Sequence, residues 1–309
     1  MIVHLAGTRS GAVADRLVTL REEGGVTALG RVLTLVVLAT GDGEAETAVA
    51  AANAASREHP CRIVVVVPSP GEATGLAAEV RVGADAGASE VVILRPGGDA
   101  GTATDSLVVP LLLPDVPVVV WWPGEPPAAP AADPVGAMAQ RRITDALACP
   151  DPPATVRRLR AGYAPGDTDL SWARSTPWRA RLAAALDEPP HDPVLAATVV
   201  GPRWRTPVEL LAGWLADRLD CPVRLVPASS GVITQVRLER PGGAVTLARE
   251  PDAQEARLSL PGMPDRFVSL PVRTLEDCLR EELRGLAPDE TYGQALTRGL
   301  ALLRDGRAA

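Results

Sequence analysis

The sequence predicts two parts: an α/β N-terminal domain with a mostly parallel sheet and flanking helices, and an α+β C-terminal domain with an antiparallel meander and helices. In the first part, long apolar runs alternate with helical segments, which is typical of parallel β-α-β units whose strands are covered on both faces. In the second part, short segments alternate apolar and polar residues, which is typical of antiparallel sheets with one wet face. The predicted domains are residues 1–163 and 164–309.

The central strand of the first sheet is predicted at residues 117–122, where an apolar run ends in two adjacent tryptophans. Three prolines within the run exclude one continuous transmembrane helix. Successive side chains of a strand point to opposite faces, so Trp121 and Trp122 cannot both enter the same core. We expect one of them at the carboxyl end of the strand, where open α/β folds place their binding surfaces.

The remaining N-terminal elements follow from the same periodicities. The first helix is predicted to end at Gly24 and Gly25. A later helix, at residues 135–148, should carry Arg141 and Arg142 near its polar end. Further strands are predicted at residues 31–39, 62–67, 76–82 and 89–94, with a helix at 44–57 and a short helical crossover at 108–113.

The C-terminal part begins with a helix at residues 177–186, which proline at its first position favours. Residues 206–209 (TPVE) match a capping box at the start of another helix. Strands are predicted at 194–200, 232–238, 244–249, 256–260 and 266–270, and two closing helices at 275–286, capped by Thr274, and 289–303.

Composition excludes several classes of function. The net charge is −7, which argues against a protein that mainly binds nucleic acid. All 31 basic residues are arginine, so a Walker A lysine and a Schiff-base lysine are both excluded. The start of the chain has no signal-peptide pattern, and no apolar window is long enough to span a membrane. We therefore expect a cytoplasmic protein that binds neither nucleic acid nor a membrane.

No catalytic, cofactor or metal site can be assigned from the residues. The four cysteines and three histidines lack zinc spacing, and reduced thiols are the simpler interpretation. The glycines after the predicted strands, such as Gly41 and Gly43, do not complete a dinucleotide fingerprint. Asp167 and Asp169 could act as an acid–base pair, although capping of the following segment is the favoured interpretation. If a thiol responds to oxidation, Cys149 in a proline-rich loop is a better candidate than Cys61, which opens a buried strand.

Aromatic and arginine residues without an obvious core position suggest an interaction surface instead, because protein interfaces are enriched in both. We expect this surface to lie between the domains. The predicted partner-binding residues are Trp121, Trp122, Glu125, Arg141, Arg142, Asp167, Asp169, Trp172, Arg174, Trp178 and Arg179.

Several long segments resemble the OpcA family, whose members are glucose-6-phosphate dehydrogenase assembly proteins. They include AANAASREHPCRIVVVV (51–67), VVPLLLPDVPVVVWWPGEPP (108–127) and PGDTDLSWARSTPWRARLAAALD (165–187). The resemblance runs from about residue 20 to residue 303 in the family's order. It implies a non-enzymatic partner that activates glucose-6-phosphate dehydrogenase in the oxidative pentose phosphate pathway. No catalytic residues are carried over.

Two other functions stay open at this point. One is a sugar-phosphate-binding enzyme or sensor that uses the glycine turns together with Arg141 and Arg142. The other is a structural subunit of a different complex.

Overall fold

The computed structural model describes residues 1–23, 30–83, 89–203 and 205–305. The predicted end of the first helix at Gly24 and Gly25 lies outside these ranges. None of the helices within them has the length and hydropathy needed to cross a bilayer.

The first sheet contains eight strands in the order β1-β4-β5-β3-β2-β6-β7-β8. The strands are β1 (Ile2–Leu5), β2 (Leu33–Leu38), β3 (Cys61–Val66), β4 (Gly75–Arg81), β5 (Glu90–Gly97), β6 (Val118–Trp122), β7 (Arg141–Thr144) and β8 (Asp167–Asp169). Six of them, from β5 to β8, are parallel, and antiparallel β4 and β1 extend the β5 edge. In chain order the six parallel strands are arranged 3-2-1-4-5-6, which is the doubly wound topology of dinucleotide-binding domains.

Helices cover both faces of this sheet. They are α1 (Ser10–Glu23), α2 (Asp42–Ser56), α3 (Thr104–Val108) and α4 (Pro152–Ala161). Side chains of β2, β3 and β6 are divided between two separate cores, because neighbours along a strand alternate between faces. Trp121 belongs to one core and Trp122 to the other, so the predicted opposite orientation is confirmed.

The second sheet has the order β10-β9-β11-β12-β13-β14. Its strands are β9 (Ala196–Gly201), β10 (Val223–Pro227), β11 (Gln235–Glu239), β12 (Val245–Ala248), β13 (Glu255–Ser259) and β14 (Arg266–Ser269). β9 and β11 to β14 pair antiparallel, while β10 joins β9 in parallel. Burial alternates along β12 and β13, so one face meets the core and the predicted meander is confirmed.

The helices of the second part pack on that sheet and return to the first one. They are α5 (Leu170–Arg174), α6 (Thr176–Leu186), α7 (Thr206–Leu219), α8 (Leu275–Arg284), α9 (Glu290–Gln294) and α10 (Leu300–Asp305), with a π-helical turn (Ala295–Gly299) between the last two. Cys278, Leu279 and Leu283 of α8 join the core on the α2 face of the first sheet. Strand β8 also completes that sheet, so the chain beyond residue 163 contributes to both sheets. The boundary after residue 163 stays a prediction.

Two local predictions are wrong. Residues 135–148 do not form a helix; their centre is strand β7, parallel to β6, because buried ion pairs neutralise Arg141 and Arg142 and allow them into a sheet. Helix α7 begins as predicted, but the capping box does not form, because the buried hydroxyl of Thr206 has no hydrogen-bond partner in the part of the chain that the structure describes.

Candidate functional site

The switch point of the first sheet lies between β2 and β6, where successive connections leave in opposite directions. Ligands of doubly wound folds bind in the crevice that this reversal opens at the carboxyl ends of the strands. Here the crevice is an open cleft of about 590 Å³. Its walls include Thr40 and Glu44 from the β2–α2 turn, Trp121 at the end of β6, and Asp145 after β7.

The β2–α2 turn occupies the position at which such folds hold a pyrophosphate. Gly41 and Gly43 match the first two glycines of the fingerprint, but Glu46 stands at the third. The carboxylate of Glu44 accepts hydrogen bonds from the Thr40 backbone N–H, at 2.7 Å, and from the Thr40 hydroxyl. Glu44 therefore places a negative charge at the helix end that would face a phosphate, although its hydrogen bonds go to Thr40, before the helix.

Gly124, which follows β6, lies directly against this carboxylate. A Cβ at Gly124 would collide with the Glu44 side chain, so a larger residue could not pack there without displacing it. The side chain of Asp42, in the first turn of α2, accepts a hydrogen bond from Arg95 Nε at 3.0 Å. Both acidic groups suit the positive end of the helix dipole, which leaves little attraction for an external anion.

The rest of the cleft fits a dinucleotide no better. A dinucleotide-binding fold carries an acidic residue near the end of its second strand to bind the ribose, whereas β3 is followed by Val67, Pro68 and Ser69. Glu44, Glu125 and Asp145 line the cleft, and no arginine does so within the described residues. A doubly negative pyrophosphate would meet only like charges, so the residues present do not fit such a cofactor.

The four predicted tryptophans are not surface residues. Trp121, Trp122, Trp172 and Trp178 have at most 4% of their surface exposed. Trp172 is held by a hydrogen bond from its Nε1 to Asp289 at 2.8 Å, and the guanidinium of Arg179 lies 3.3 Å from the centre of its ring. The prediction that these rings lack a core position is wrong: Trp121 and Trp122 belong to the two cores of the first sheet, and Trp172 and Trp178 belong to the core of the second part. Whether any of them contributes to partner binding stays a prediction.

The predicted charged residues form a buried seam between the two parts of the molecule. Arg141 of β7 pairs with Glu282 of α8 and donates to the Ala287 carbonyl at 2.8 Å. Arg142 pairs with Asp167 of the neighbouring strand. Burial raises the pKa of Glu282, although the Arg141 charge opposes this shift. These arginines are therefore committed to internal partners and are not free to bind a sugar phosphate.

Two further aspartates of the seam, Asp169 and Asp145, have structural roles, and the sequence indicated the first of them. Asp169 caps α5 by accepting from the Ser171 N–H at 2.9 Å, which confirms the capping interpretation. It also accepts from the Thr144 hydroxyl at 2.7 Å. Asp145, which the sequence did not single out, receives two hydrogen bonds of 2.8 Å from Arg174. Of the predicted residues, Glu125 alone is exposed within the described ranges; it pairs with Arg158 at the cleft rim.

Comparison with known proteins identifies the family. A family model described as the glucose-6-phosphate dehydrogenase subunit N-terminal domain matches residues 52–161, and one described as the corresponding C-terminal domain matches residues 165–296. The chain belongs to the OpcA family of glucose-6-phosphate dehydrogenase assembly proteins. No curated protein matches this chain.

Two solved structures are similar to this OpcA-family chain. An aldose-aldose oxidoreductase from Caulobacter crescentus, complexed with glycerol, is 14% identical, with a TM-score of 0.50; the match covers 90% of this chain and 98% of the other. An oxidoreductase from Sinorhizobium meliloti is 11% identical, with a TM-score of 0.47 and coverage of 87% and 95%. The similarity to the aldose-aldose oxidoreductase structure shows a similar fold and nothing more.

The thiols of this family member are shielded. Burial raises the pKa of Cys61 and Cys278 to about 12 and that of Cys149 to about 11. Cys149 was expected to be the accessible one, but it is buried and donates to the Gly124 carbonyl at 3.4 Å. Cys221 is only partly buried, and burial raises its pKa as well. Within the described ranges, no cluster of histidine, cysteine and acidic residues could hold a metal ion.

A second pocket, which sequence analysis missed, lies between the second sheet and helices α5 and α6. We name it the arginine pocket; it has a volume of about 170 Å³. Four arginines line it, namely Arg174, Arg205, Arg249 and Arg273. The sequence contained one indication of this pocket. Arg249 comes directly after β12 and continues the alternation in which Val245 and Leu247 face inward.

Proposed function

We propose that this chain is a non-catalytic assembly partner and allosteric activator of glucose-6-phosphate dehydrogenase, acting in the cytoplasm. Family membership supports the choice of partner. The observation that carries the non-catalytic role is the Glu44 carboxylate at the switch point. It places a negative charge at the helix terminus that an oxidoreductase of this topology offers to the pyrophosphate of its cofactor.

Activation by such a partner follows from linkage. A partner that binds the competent state of the dehydrogenase more tightly than the incompetent state shifts the population towards the competent one. A tenfold shift requires about 1.4 kcal/mol of differential binding free energy. This amount is within reach of a few interface contacts, so no chemistry by the chain itself is required.

We further propose that the cleft rim contributes to the contact with the dehydrogenase. Glu125 is exposed there, and its partner Arg158 is also largely open to solvent. An exposed ion pair contributes little free energy to folding. Glu125 and Arg158 would therefore lose little if they paired with groups on another protein instead. The buried tryptophans would then support the rim from below instead of touching the partner.

Kinetics and sizing of the mixed proteins test the function. Adding the chain to the cognate dehydrogenase should raise kcat, lower KM for glucose 6-phosphate, or do both, and the effect should saturate at a fixed stoichiometry. Unchanged kinetics together with separate elution at micromolar concentrations would refute the proposal.

A charge-reversal pair tests the location of the contact. Glu125→Arg should weaken association with the dehydrogenase by about tenfold, because it places a cation beside Arg158 at the rim. Glu255→Arg is the matched control: it makes the same change at an exposed position of β13, on the second sheet. Equal affinities for both variants would remove the rim from the interface without affecting the proposed function.

A further inference from the structure

The arginine pocket has a charge composition that is unusual for a closed part of a protein. None of the residues that line it in the described ranges is acidic, whereas four are arginine. Arg174 is neutralised by Asp145, and Arg273 by Glu281, both from outside the lining. The other two guanidinium groups carry the positive charge that remains.

Arg249 is the more deeply buried of these two, with 6% of its surface exposed. It donates to the carbonyls of Leu270, at 2.9 Å, and Ile233, at 3.2 Å, but its buried Nε has no hydrogen-bond partner among the described residues. The ring of Trp178 lies 5.7 Å away and gives a weak cation–π contact. Burial lowers the pKa of Arg249, and no carboxylate offsets that effect. Buried charges are normally paired, so this one lacks its counter-ion.

Arg205 supplies the second charge. It is half-buried, and its side chain has no hydrogen-bond or ion-pair partner among the described residues. It immediately precedes α7, a helix of 14 residues whose first turn carries the acidic Glu209. That carboxylate offsets the positive end of the helix dipole, so the two guanidinium groups are the main source of positive charge in the pocket. The unpartnered hydroxyl of Thr206 lies at the same helix end.

We propose that the arginine pocket binds the phosphoryl group of a small phosphate monoester. Such a group carries about −1.5 to −2 charges at neutral pH, which matches the two uncompensated arginines, whereas a carboxylate carries only one. Guanidinium forks bind phosphate oxygens in a bidentate manner. The volume of about 170 Å³ is below that of a pocket for a drug-sized ligand, about 300 Å³ or more, so the pocket suits one phosphoryl group with the remainder of the ligand at its mouth.

Titration with inorganic phosphate tests the site, with thermal melting and calorimetry as readouts at constant ionic strength. Phosphate should raise the Tm of the full chain in a saturable manner, and acetate should bind at least about tenfold more weakly. Arg205→Gln should weaken phosphate binding by about tenfold or more, because it removes a charged donor. Its Tm without phosphate should not change, since the side chain has no internal partner.

Two further variants keep the test decisive. Arg203→Gln removes the same charge from an exposed side chain outside the pocket lining and should bind phosphate as the unaltered chain does. Arg249→Met should abolish the phosphate effect because it removes the buried guanidinium; circular dichroism should show that the variant stays folded despite losing the hydrogen bonds to the Leu270 and Ile233 carbonyls. Equal phosphate binding by the Arg205→Gln and Arg203→Gln variants would overturn the proposal, and so would the absence of saturable binding.

The probe also distinguishes free phosphate from an ester. Glucose 6-phosphate, as a representative monoester, should bind more tightly than inorganic phosphate, and glucose should not bind. If inorganic phosphate binds more tightly than the ester in an Arg205-dependent manner, the site is a free-phosphate site and the assignment to an ester is wrong. None of these results depends on the dehydrogenase, so failure here leaves the proposed function standing.

Discussion

The switch-point cleft and the arginine pocket are built alike but carry opposite charge. Each has a tryptophan in its wall, Trp121 in the cleft and Trp178 in the pocket. The cleft is lined by three acidic residues and no basic one, and the pocket by four arginines and no acidic one, within the described part of the chain. A doubly wound topology places an anion site at the cleft, but in this protein the arginines line the other pocket. A fold supplies crevices, and the residues decide what each can bind.

One ion pair connects the two regions. Asp145 lines the cleft, Arg174 lines the pocket, and their side chains are joined by two hydrogen bonds of 2.8 Å. Burial raises the pKa of Asp145, and the Arg174 charge opposes that shift. The pair therefore joins a carboxylate of the cleft directly to a guanidinium of the pocket.

Breaking this pair should give the largest effect. Arg174→Gln leaves Asp145 buried without a counter-charge, so the free energy of unfolding at neutral pH should fall by about 3–5 kcal/mol, measured by urea denaturation. Arg158→Gln is the matched control, because it breaks the exposed pair with Glu125 and should cost no more than about 1 kcal/mol. Similar losses in both variants would show that the bridge is not stronger than a surface pair.

Thiol alkylation reports whether the cleft opens. Cys149 is buried beside the cleft, between Ala148 and Pro150, which line the cleft wall. Cys221, in the second part of the molecule, is partly exposed. Cys221 should be alkylated at least about tenfold faster than Cys61, Cys149 and Cys278, because a buried thiol reacts only after local opening. Mass spectrometry of the native protein measures the order. Fast labelling of Cys149 would mean that the cleft wall opens readily.

The acidic cap of the β2–α2 turn should have a moderate effect. Glu44→Ala removes the acceptor of the Thr40 N–H and should lower the free energy of unfolding by about 1 kcal/mol, as loss of one hydrogen bond does. Glu44→Gln keeps an acceptor oxygen and should lose less, which separates the hydrogen bond from the charge. If Glu44→Ala melts like the unaltered chain, this carboxylate does not hold the turn.

The smallest effect concerns acid stability at Glu46, which replaces the third fingerprint glycine. Hydrogen bonding from Arg81 lowers the pKa of Glu46, against the opposing effect of burial. A carboxyl whose folded pKa is depressed stabilises the protein above its unfolded pKa, and this contribution is lost as the pH falls through the folded pKa. Glu46→Gln should therefore lower the Tm slightly at pH 7 and leave it unchanged at about pH 3. A larger loss at low pH would contradict the assignment.

The sequence predicted most of the sheet and little of the site. Apolar runs were sufficient to locate β2, β3 and β6, because strands covered on both faces need continuous apolar sequence. Sequence analysis missed strand β7, because its two arginines interrupt the apolar pattern by which buried strands are predicted. They become buried through Glu282, 141 residues further along the chain, and through Asp167.

The site depends on contacts of the same distant kind. Trp172 was taken for a surface residue, but its partner Asp289 lies 117 residues away. The arginine pocket is assembled from separate segments, so no motif marks it, and its one sequence signal is that Arg249, directly after β12, continues the inward-facing alternation of that strand. By contrast, the missing fingerprint at Gly41 and Gly43 was visible in the sequence, because that site is local.

Calorimetric titration of the Arg249→Met variant with NADP⁺ tests most directly the claim that the cleft does not hold a dinucleotide. The substitution should abolish phosphate binding at the arginine pocket, so any saturable binding would have to come from elsewhere. We expect no saturable heat up to about 1 mM NADP⁺, which corresponds to a binding free energy weaker than about −4 kcal/mol. Saturable binding in the micromolar range that persists in this variant would contradict it.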